Sequence, residues 1–456
     1  MDIARLSRSR PALWIAFAVV HGWIALIGTV WIPLQAFWDL DLYRWWMWQG
    51  LHQGVWPVLD GDWVYPAAAV LPMLLPALVD SVGTQGYAVA WTALITLLNA
   101  GAVVVLLRAA RVDPGTAGTS SSAATVARPV PPAAGRRARA VRAAPPLHDP
   151  ALGAWWWLLF IFLLGPVAVG RLDAVVAPVV VTALALALRR PAAASALLTL
   201  GAWIKVAPGA LLVPLVMVVR RPWRDLVLPA AAVCVAVVGA VVLGGGGAHL
   251  TSFLTEQGDR GLQLESVGAT PWVLRGLVDP GIRIWMNQDI ITWEIVGPGT
   301  ATVASLLGAA LPVALAAASA LLLWVRLRQG AALDVPAFLA RAALLIAVLL
   351  IVTNKVGSPQ FVGWLAGPVV VGLARPGAEG LRPWRLPAVL VLLVAGLTQL
   401  VFPMTYSAIT AGMVGPSLLL VARNVLLVVL VVVVTRDLVR TGRRVTTTAE
   451  ISPAAA

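Results

Sequence analysis

The sequence predicts an all-α protein that crosses a membrane many times. Of its 456 residues, 60% are hydrophobic and only 12% are charged, and apolar runs long enough to span a bilayer recur from end to end. A hydrocarbon core about 30 Å thick needs about 20 apolar residues in a helix. Because lipid offers no hydrogen bonds, each spanning segment must bond its own backbone groups. This composition excludes a water-soluble globular protein.

The charge distribution narrows the function classes. The net charge is +13, and the 33 basic residues include only two lysines. Most arginines lie in short segments between apolar runs, as in the cytoplasmic loops of membrane proteins, so we expect no nucleic-acid partner. The single cysteine, Cys234, excludes a disulfide framework. The four histidines lack metal-ligand spacing, so we expect no protein-bound metal and no cofactor.

The first apolar run, residues 11–30, follows three arginines and predicts a first span with a cytoplasmic N-terminus. Residues 31–64 then lie outside. The next run, 65–80, contains Pro72 and Pro76 and only about 14 apolar residues, which at about 1.5 Å per residue reach about 21 Å. That is shorter than the bilayer core. We therefore predict an interfacial or re-entrant helix at 65–80.

The remaining spans follow from this assignment. A span at 84–107 leads to the segment 109–150, which is rich in Ala, Pro, Ser, Thr and Arg and is predicted to be a disordered cytoplasmic loop. Two short apolar stretches flank WIKVAP (203–208), which indicates a hairpin of shortened helices. Further spans are predicted at 152–170, 173–188, 225–244, 300–324, 338–353, 359–374, 386–403 and 412–435. This gives about twelve crossings, with both termini in the cytoplasm.

The chain accordingly divides into six consecutive segments. They are 1–108 (first span, acidic outer loop with interfacial helices, second span), 109–150 (basic cytoplasmic loop), 151–244 (helical core with the short-helix hairpin), 245–298 (outer loop), 299–440 (C-terminal helical bundle) and 441–456 (cytoplasmic tail).

Polar residues that are costly near a bilayer concentrate on the predicted outer face. They are both lysines of the chain, Lys205 and Lys355, together with Asp39, Asp41, Arg171 and Asp173, and the outer loop adds GDRGLQLESVGA (258–269). Such residues mark functional sites by default. Acids and cations beside an apolar wall suit sugar transfer from a lipid phosphate. The phosphate leaves without a proton, so one general base is enough, and Arg or Lys neutralises its charge.

Short motifs recur in a specific order. They are DLxxY at 39–43, YP at 65–66, GRxD at 170–173, KxxP at 205–208, RGLQxES at 260–266 and KVxSPQ at 355–360. Their order and spacing resemble the actinobacterial branch of glycosyltransferase family 87, in the GT-C superfamily, to which the phosphatidylinositol mannosyltransferases belong. The resemblance covers residues 12–435 except 109–150. The family usually has YPP where this chain has Tyr65-Pro66-Ala67.

The resemblance implies a GT-C type fold and a role for individual residues. Asp39 matches the aspartate expected to deprotonate the acceptor hydroxyl, while the second acid in the motif, Asp41, leaves the identity of the base open. The residues expected to bind substrate are Asp41, Tyr43, Asp60, Tyr65, Arg171, Asp173, Lys205, Arg260, Gln263, Glu265, Lys355, Ser358 and Gln360. Ser266 and Pro359 complete two of the motifs.

The implied activity is an inverting transfer of a sugar from polyprenyl phosphate to a lipid or glycan acceptor. Mannose is favoured as the sugar, and arabinose stays open. The resemblance implies a multi-pass protein among the lipids of the plasma membrane, with its active site on the extracytoplasmic side. The implied donor is a lipid-linked substrate rather than a cofactor.

Two other function classes compete. A lipid-linked sugar flippase or transporter would share the polar cavity, but transporters often show internal repeats with broken helices in matching positions. The break near Lys205 has no counterpart in the second half of the sequence. A structural or docking protein, the third class, would tolerate neutralisation of the outer acids and arginines.

Several of these residues also have ordinary structural interpretations. Asp39 is a suitable N-cap for a helix at 40–53, and the tryptophans at 45, 46 and 48 are typical of an aromatic belt. Arg171 and Lys355 lie at span ends, where long side chains extend to the interface.

Overall fold

The computed structural model describes residues 9–109, 151–258, 260–288 and 290–444. Within these ranges eight helical runs are long and apolar enough to cross a membrane: Arg10–Trp31, Thr84–Ala109, Ala151–Ala168, Trp223–Leu243, Thr300–Ala332, Val335–Val352, Arg382–Met404 and Val414–Arg443. The predicted class of all-α membrane protein is confirmed at this level, and the count of twelve crossings stays a prediction. Except for Ala109, the predicted loop 109–150 lies outside the described residues.

In chain order, the first helices are α1 (Arg10–Leu26), α2 (Pro33–Ala36), α3 (Trp38–Gln53), α4 (Val70–Ala77), α5 (Thr84–Ala109), α6 (Ala151–Leu164), α7 (Asp173–Leu186), α8 (Pro191–Ile204), α9 (Leu212–Val216) and α10 (Leu228–Leu243). They are followed by α11 (Ser252–Gly258), α12 (Thr270–Arg275), strands β1 (Arg283–Asn287) and β2 (Thr292–Val296), and helices α13 (Thr300–Gln329), α14 (Val335–Val352), α15 (Ala366–Ala374), α16 (Arg385–Gln399), α17 (Tyr406–Thr410) and α18 (Val414–Arg443). The last helix enters the predicted tail 441–456, of which residues 445–456 lie outside the described part.

Short 3-10 and π segments extend or join these helices. The 3-10 helices are Ala67–Ala69, Gly165–Ala168, Ala207–Leu211, Gly247–His249, Val267–Ala269, Gly330–Ala332, Pro359–Leu365 and Arg382–Trp384, and the π segments are Ile27–Trp31, Trp223–Val227 and Leu400–Met404. Helix starts follow local chemistry: the Ser9 hydroxyl accepts from Ala12 N at 3.4 Å and the Asp334 carboxylate accepts from Ala337 N at 3.2 Å.

The predicted interfacial helix at 65–80 is indeed short. Its α-helical part, α4, has eight residues and contains Pro76. Beyond it the Asp80 carboxylate accepts from Gly83 N at 2.7 Å and turns the chain into α5. The Tyr87 hydroxyl of α5 donates to Met73 O at 2.9 Å, so α4 is held against α5 by a buried hydrogen bond.

The predicted hairpin of shortened helices is also present. Helix α8 ends at Ile204, Lys205 is extended (φ −152°, ψ 128°), and the chain continues as Ala207–Leu211 and α9. The neighbouring helix α7 lies in the interior, where it packs against α5, α8 and α15. In the most apolar stretch of α14, 72% of the residues are buried, compared with 11% in Trp223–Leu243 and in Thr300–Ala332. The last two runs therefore present their sides to the surroundings.

The predicted outer loop 245–298 contains a β-hairpin that the sequence analysis did not anticipate. Strands β1 and β2 pair antiparallel, with Trp285 opposite Glu294. The hairpin is joined to the RGLQxES motif, because Leu264 N donates to Trp293 O and Ile295 N donates to Leu262 O, at 3.0 and 2.9 Å.

Candidate functional site

Three helix ends and one loop bring the first four motifs together. They are the first turn of α3, the start of α7, the break after α8, and the loop that precedes Ala67–Ala69. Two ion pairs and an aromatic cluster join the side chains there. We call this end of the bundle the site end and the opposite end the far end.

The first ion pair joins α3 to α7. Arg171 Nη1 lies 3.0 Å from Asp39 Oδ1. The Arg171 side chain is only 6% exposed and its guanidinium lies 5.0 Å from the centre of the Phe402 ring, whereas 26% of the Asp39 side chain is exposed. The arginine is thus fixed by the wall of the site, and the carboxylate is the partner that an incoming molecule can reach. Asp39 lies within the first turn of α3 and Phe37 is the N-cap residue, so the N-cap interpretation of Asp39 is wrong.

The second ion pair joins α7 to the break after α8. Lys205 Nζ lies 3.7 Å from Asp173 Oδ2, and Trp364 Nε1 donates to Asp173 Oδ1 at 2.6 Å. The lysine ammonium also lies 4.8 Å from the centre of the Tyr65 ring. Because Asp173 is only 2% exposed, it acts on the site through Lys205, whose ammonium it holds in place. Trp364, which the sequence analysis did not single out, orients Asp173.

An aromatic cluster supports these pairs. Tyr43 is fully buried, and its hydroxyl accepts from Leu172 N at 3.3 Å, which ties α3 to the turn that carries Arg171 and Asp173. Burial raises the pKa of Tyr43 well above its usual value, so the phenol stays neutral. Its ring lies 6.2 Å from the ring of Tyr65 and 6.1 Å from that of Trp46. Trp46 therefore packs inside the cluster, whereas Trp45 is exposed as a belt residue would be.

The RGLQxES motif is tied to the last helix. Arg423 Nη1 of α18 donates to Glu265 Oε2 at 2.5 Å, and Nη2 donates to the Glu265 carbonyl at 2.6 Å. Burial raises the pKa of Glu265, and the Arg423 guanidinium opposes that shift. Glu265 is thus buried and paired with Arg423, and its predicted role in substrate binding stays a prediction. Arg423 is a partner that sequence reasoning missed, although an arginine inside an apolar run was a signal of its importance.

The KVxSPQ motif packs against the same loop. Gln263 N donates to Lys355 O, and Gly357 N donates to Gln263 Oε1, both at 3.1 Å. Lys355 and Ser358 are half-buried, and Arg260 is half-buried at the start of the neighbouring motif. Gln263 therefore holds the backbone from which Lys355 projects. A Cβ at Gly357 would lie 2.0 Å from Ser266 N, so this close approach of two backbones requires glycine.

We expect Gly357→Ala to destabilise the protein by about 1–3 kcal/mol, because overpacking forces the two backbones apart. The matched control is Gly363→Ala in the 3-10 helix Pro359–Leu365 that follows, where a Cβ would meet no atom within 4 Å. Thermal unfolding in detergent measures both. Equal midpoints for the two variants would show that the contact between the two loops does not need glycine.

Gln360 and Asp173 line a small internal cavity beneath the site. It has a volume of about 20 Å³ and is also lined by Asn99 of α5 and Trp157 of α6. Asp173 Oδ2, Gln360 Oε1 and Trp157 Nε1 have no hydrogen-bond partner within the described residues. A cavity of this size has room for a single water molecule. Gln360 therefore lies under the site, behind Asp173.

Two predicted site residues lie apart from the ion pairs. The Asp41 side chain is 55% exposed, lies 2.8 Å from Arg44 and accepts from the Thr84 hydroxyl at 3.1 Å, so it joins α3 to the start of α5. Asp60 is exposed and accepts from Trp56 N at 2.7 Å, which closes a turn. Of the two acids that the sequence left open as the base, only Asp39 contacts Arg171 in this structure.

Comparison of the chain with protein-family models and with curated proteins found no match. Among the described residues, no three His, Cys, Asp or Glu side chains lie together as metal ligands would.

Proposed function

We propose that the chain is a membrane glycosyltransferase of GT-C type. In this proposal it moves a sugar, with mannose favoured, from polyprenyl phosphate to a lipid or glycan acceptor at the outer face of the plasma membrane. The configuration at the anomeric carbon of the sugar is inverted. The observation that supports it most is the pair formed by the accessible carboxylate of Asp39 and the buried guanidinium of Arg171. A reachable acid beside a fixed cation suits a reaction that needs one base and produces one anion.

In the proposed reaction Asp39 accepts the proton of the acceptor hydroxyl. The acceptor oxygen then bonds to the anomeric carbon from the side opposite the phosphate. The bond between the anomeric carbon and the phosphate oxygen breaks, and its electron pair leaves with the polyprenyl phosphate. The configuration inverts because attack and departure occur on opposite faces of the sugar. No second carboxyl group is needed, since the phosphate leaves unprotonated.

The cations of the site suit the departing phosphate. Arg171 contacts one oxygen of Asp39, and a guanidinium carries five donors in a planar fork, so it has further N–H groups to offer an anion. The Lys205 ammonium is held by Asp173 and lies over the Tyr65 ring, which leaves it close to the same end of the bundle. Charge-assisted hydrogen bonds from both would stabilise the growing negative charge.

The architecture suits a lipid-borne donor. The site end lies among helices whose long apolar runs are able to cross a bilayer. A donor with a polyprenyl tail can keep the tail in the hydrocarbon while its phosphate and sugar stay at the interface. The proposal includes twelve membrane crossings and an active site on the extracytoplasmic side.

The deciding experiment follows the sugar–phosphate bond. Membranes from cells that express the protein are supplied with labelled polyprenyl-phosphate mannose, and the label is followed by thin-layer analysis of lipid and glycan fractions. We expect new labelled products that vector-only membranes lack. If product forms only with polyprenyl-phosphate arabinose, the donor sugar is arabinose and the proposed class of enzyme is retained. Label that stays on the carrier with either donor would contradict the proposal and favour a flippase.

A further inference from the structure

Two turns at the far end of the bundle carry a compact set of arginines. Helix α7 leads away from the site to Leu186 and α8 returns from Pro191, while α9 ends at Val216 and the next run returns from Trp223. The two turns are neighbours, because the Ser195 hydroxyl of α8 donates to Leu226 O at 2.9 Å. We call the five arginines of these turns the arginine patch: Arg189, Arg190, Arg220, Arg221 and Arg224.

Within the described residues, the positive charges of the arginine patch are not paired with carboxylates. All five side chains are exposed, and within the described residues their guanidinium groups form no hydrogen bond or ion pair. The acid of these turns is the half-buried Asp225. Two neighbouring arginines at this end are paired instead: Arg341 lies 2.8 Å from Glu379, and Arg326 Nε donates to Met217 O at 3.1 Å. The arginine patch therefore carries excess positive charge, and its guanidinium N–H groups are available to bind an anion.

Helix length places the patch close to hydrocarbon. Helices α7 and α8 have 14 residues each, so each rises about 21 Å, less than the bilayer core of about 30 Å. Helices α13 and α18 have 30 residues each and span the core with turns to spare. A short crossing is matched by local thinning of the bilayer and by side chains that extend to the headgroups.

Trp223 marks the level of the headgroups at this point. It lies between Arg221 and Arg224 in the chain, and its side chain is 68% exposed. An exposed indole is favoured at the boundary between hydrocarbon and headgroups. The arginine patch surrounding it then lies at the depth of lipid phosphates, and guanidinium forks bind phosphate oxygens in pairs.

We propose that the arginine patch binds the headgroup of an anionic phospholipid in the leaflet at the far end of the bundle. The lipid phosphate accepts hydrogen bonds from the two turns, and its acyl chains lie along the exposed apolar sides of the adjacent helices. This binding joins the α7–α8 turn to the α9–Trp223 turn. It is independent of the chemistry at the site end.

The test measures how many lipid molecules stay bound to the protein after it leaves the bilayer. The full chain is placed in nanodiscs of phosphatidylcholine mixed with phosphatidylglycerol, released, and analysed by native mass spectrometry. The variant replaces the patch by glutamine: Arg189→Gln, Arg190→Gln, Arg220→Gln, Arg221→Gln and Arg224→Gln. The matched control removes five other exposed far-end arginines: Arg382→Gln, Arg385→Gln, Arg436→Gln, Arg440→Gln and Arg443→Gln. The thermal unfolding of both variants is measured first, and Arg220→Gln/Arg221→Gln replaces the patch variant if the latter does not fold.

We expect the wild type to retain phosphatidylglycerol in preference to phosphatidylcholine. The patch variant should retain at least about tenfold less, because each arginine near an anionic headgroup strengthens binding severalfold. The control should stay within about twofold of wild type. Equal retention by the patch variant and wild type would overturn the proposal, as would equal losses in both variants, which would assign the effect to net charge. Displacement of the lipid by millimolar inorganic phosphate would also overturn it, in favour of a site for free phosphate.

Discussion

The Asp39→Asn protein is expected to transfer sugar about 10²–10⁴-fold more slowly than wild type, the usual range for loss of a general base. The carboxamide keeps the shape of the side chain and can still accept a hydrogen bond from Arg171, but it cannot take the acceptor proton. The initial rate of label transfer at saturating donor, in nanodiscs, measures the effect. Because the variant leaves the buried Arg171 guanidinium without its carboxylate, the thermal unfolding midpoint is measured as well, and rates are compared at a temperature where both proteins are folded.

The matched control is Asp41→Asn, two residues along the same helical turn. Asp41 is more exposed and contacts Arg44 and Thr84 rather than Arg171. Its loss should change the rate by no more than about threefold, since an exposed ion pair contributes little. A slow Asp41→Asn enzyme beside an active Asp39→Asn enzyme would transfer the role of base to Asp41. Wild-type rates in both variants would show that neither Asp39 nor Asp41 is the general base.

Replacing either partner of the Glu265–Arg423 pair should destabilise the protein by about 3–5 kcal/mol, the range for an ion left buried without its partner. Both side chains are almost fully buried, and the same arginine also donates to the Glu265 carbonyl, so Glu265→Gln and Arg423→Gln each leave donors or acceptors unsatisfied. The free energy of unfolding, from denaturant titration of the protein in mixed micelles, measures the loss.

The double variant Glu265→Gln/Arg423→Gln separates the pair from its surroundings. It should be more stable than the sum of the single losses predicts, because neither charge is then buried alone. Arg275→Gln, which removes the partner of Asp279 in an exposed ion pair, is the control and should leave stability nearly unchanged. Single variants as stable as wild type, or strictly additive losses, would show that the buried pair does not hold the outer loop against α18.

Local features of the structure followed from sequence patterns. Proline at 72 and 76 and the short apolar run predicted a helix too short to cross. With eight residues α4 is shorter than the predicted run of about 14, because proline and the Asp80 turn act within a few residues. Lys205 predicted the break after α8 in the same way. The β-hairpin was missed, since two strands of five residues leave only a weak local pattern within a polar loop.

Partnerships between distant residues did not follow from any pattern. Trp364 and Asp173 are 191 residues apart, and Arg423 and Glu265 are 158 apart. The hydrophobic periodicity of one helix does not show which residue of another helix it will contact. For this reason Glu265, Asp60 and Asp41 stood beside Asp39 among the predicted site residues, although their contacts differ.

The sequence by itself determined the class of protein and the helical character of its long apolar segments, because hydropathy and helix breakers act locally. Only the tertiary structure decided which cation meets which acid: Arg171 with Asp39, Lys205 with Asp173, Arg423 with Glu265. Pairing depends on how helices pack, and packing sums many small contacts over the whole chain. The accessible carboxylate of Asp39 is a consequence of that packing.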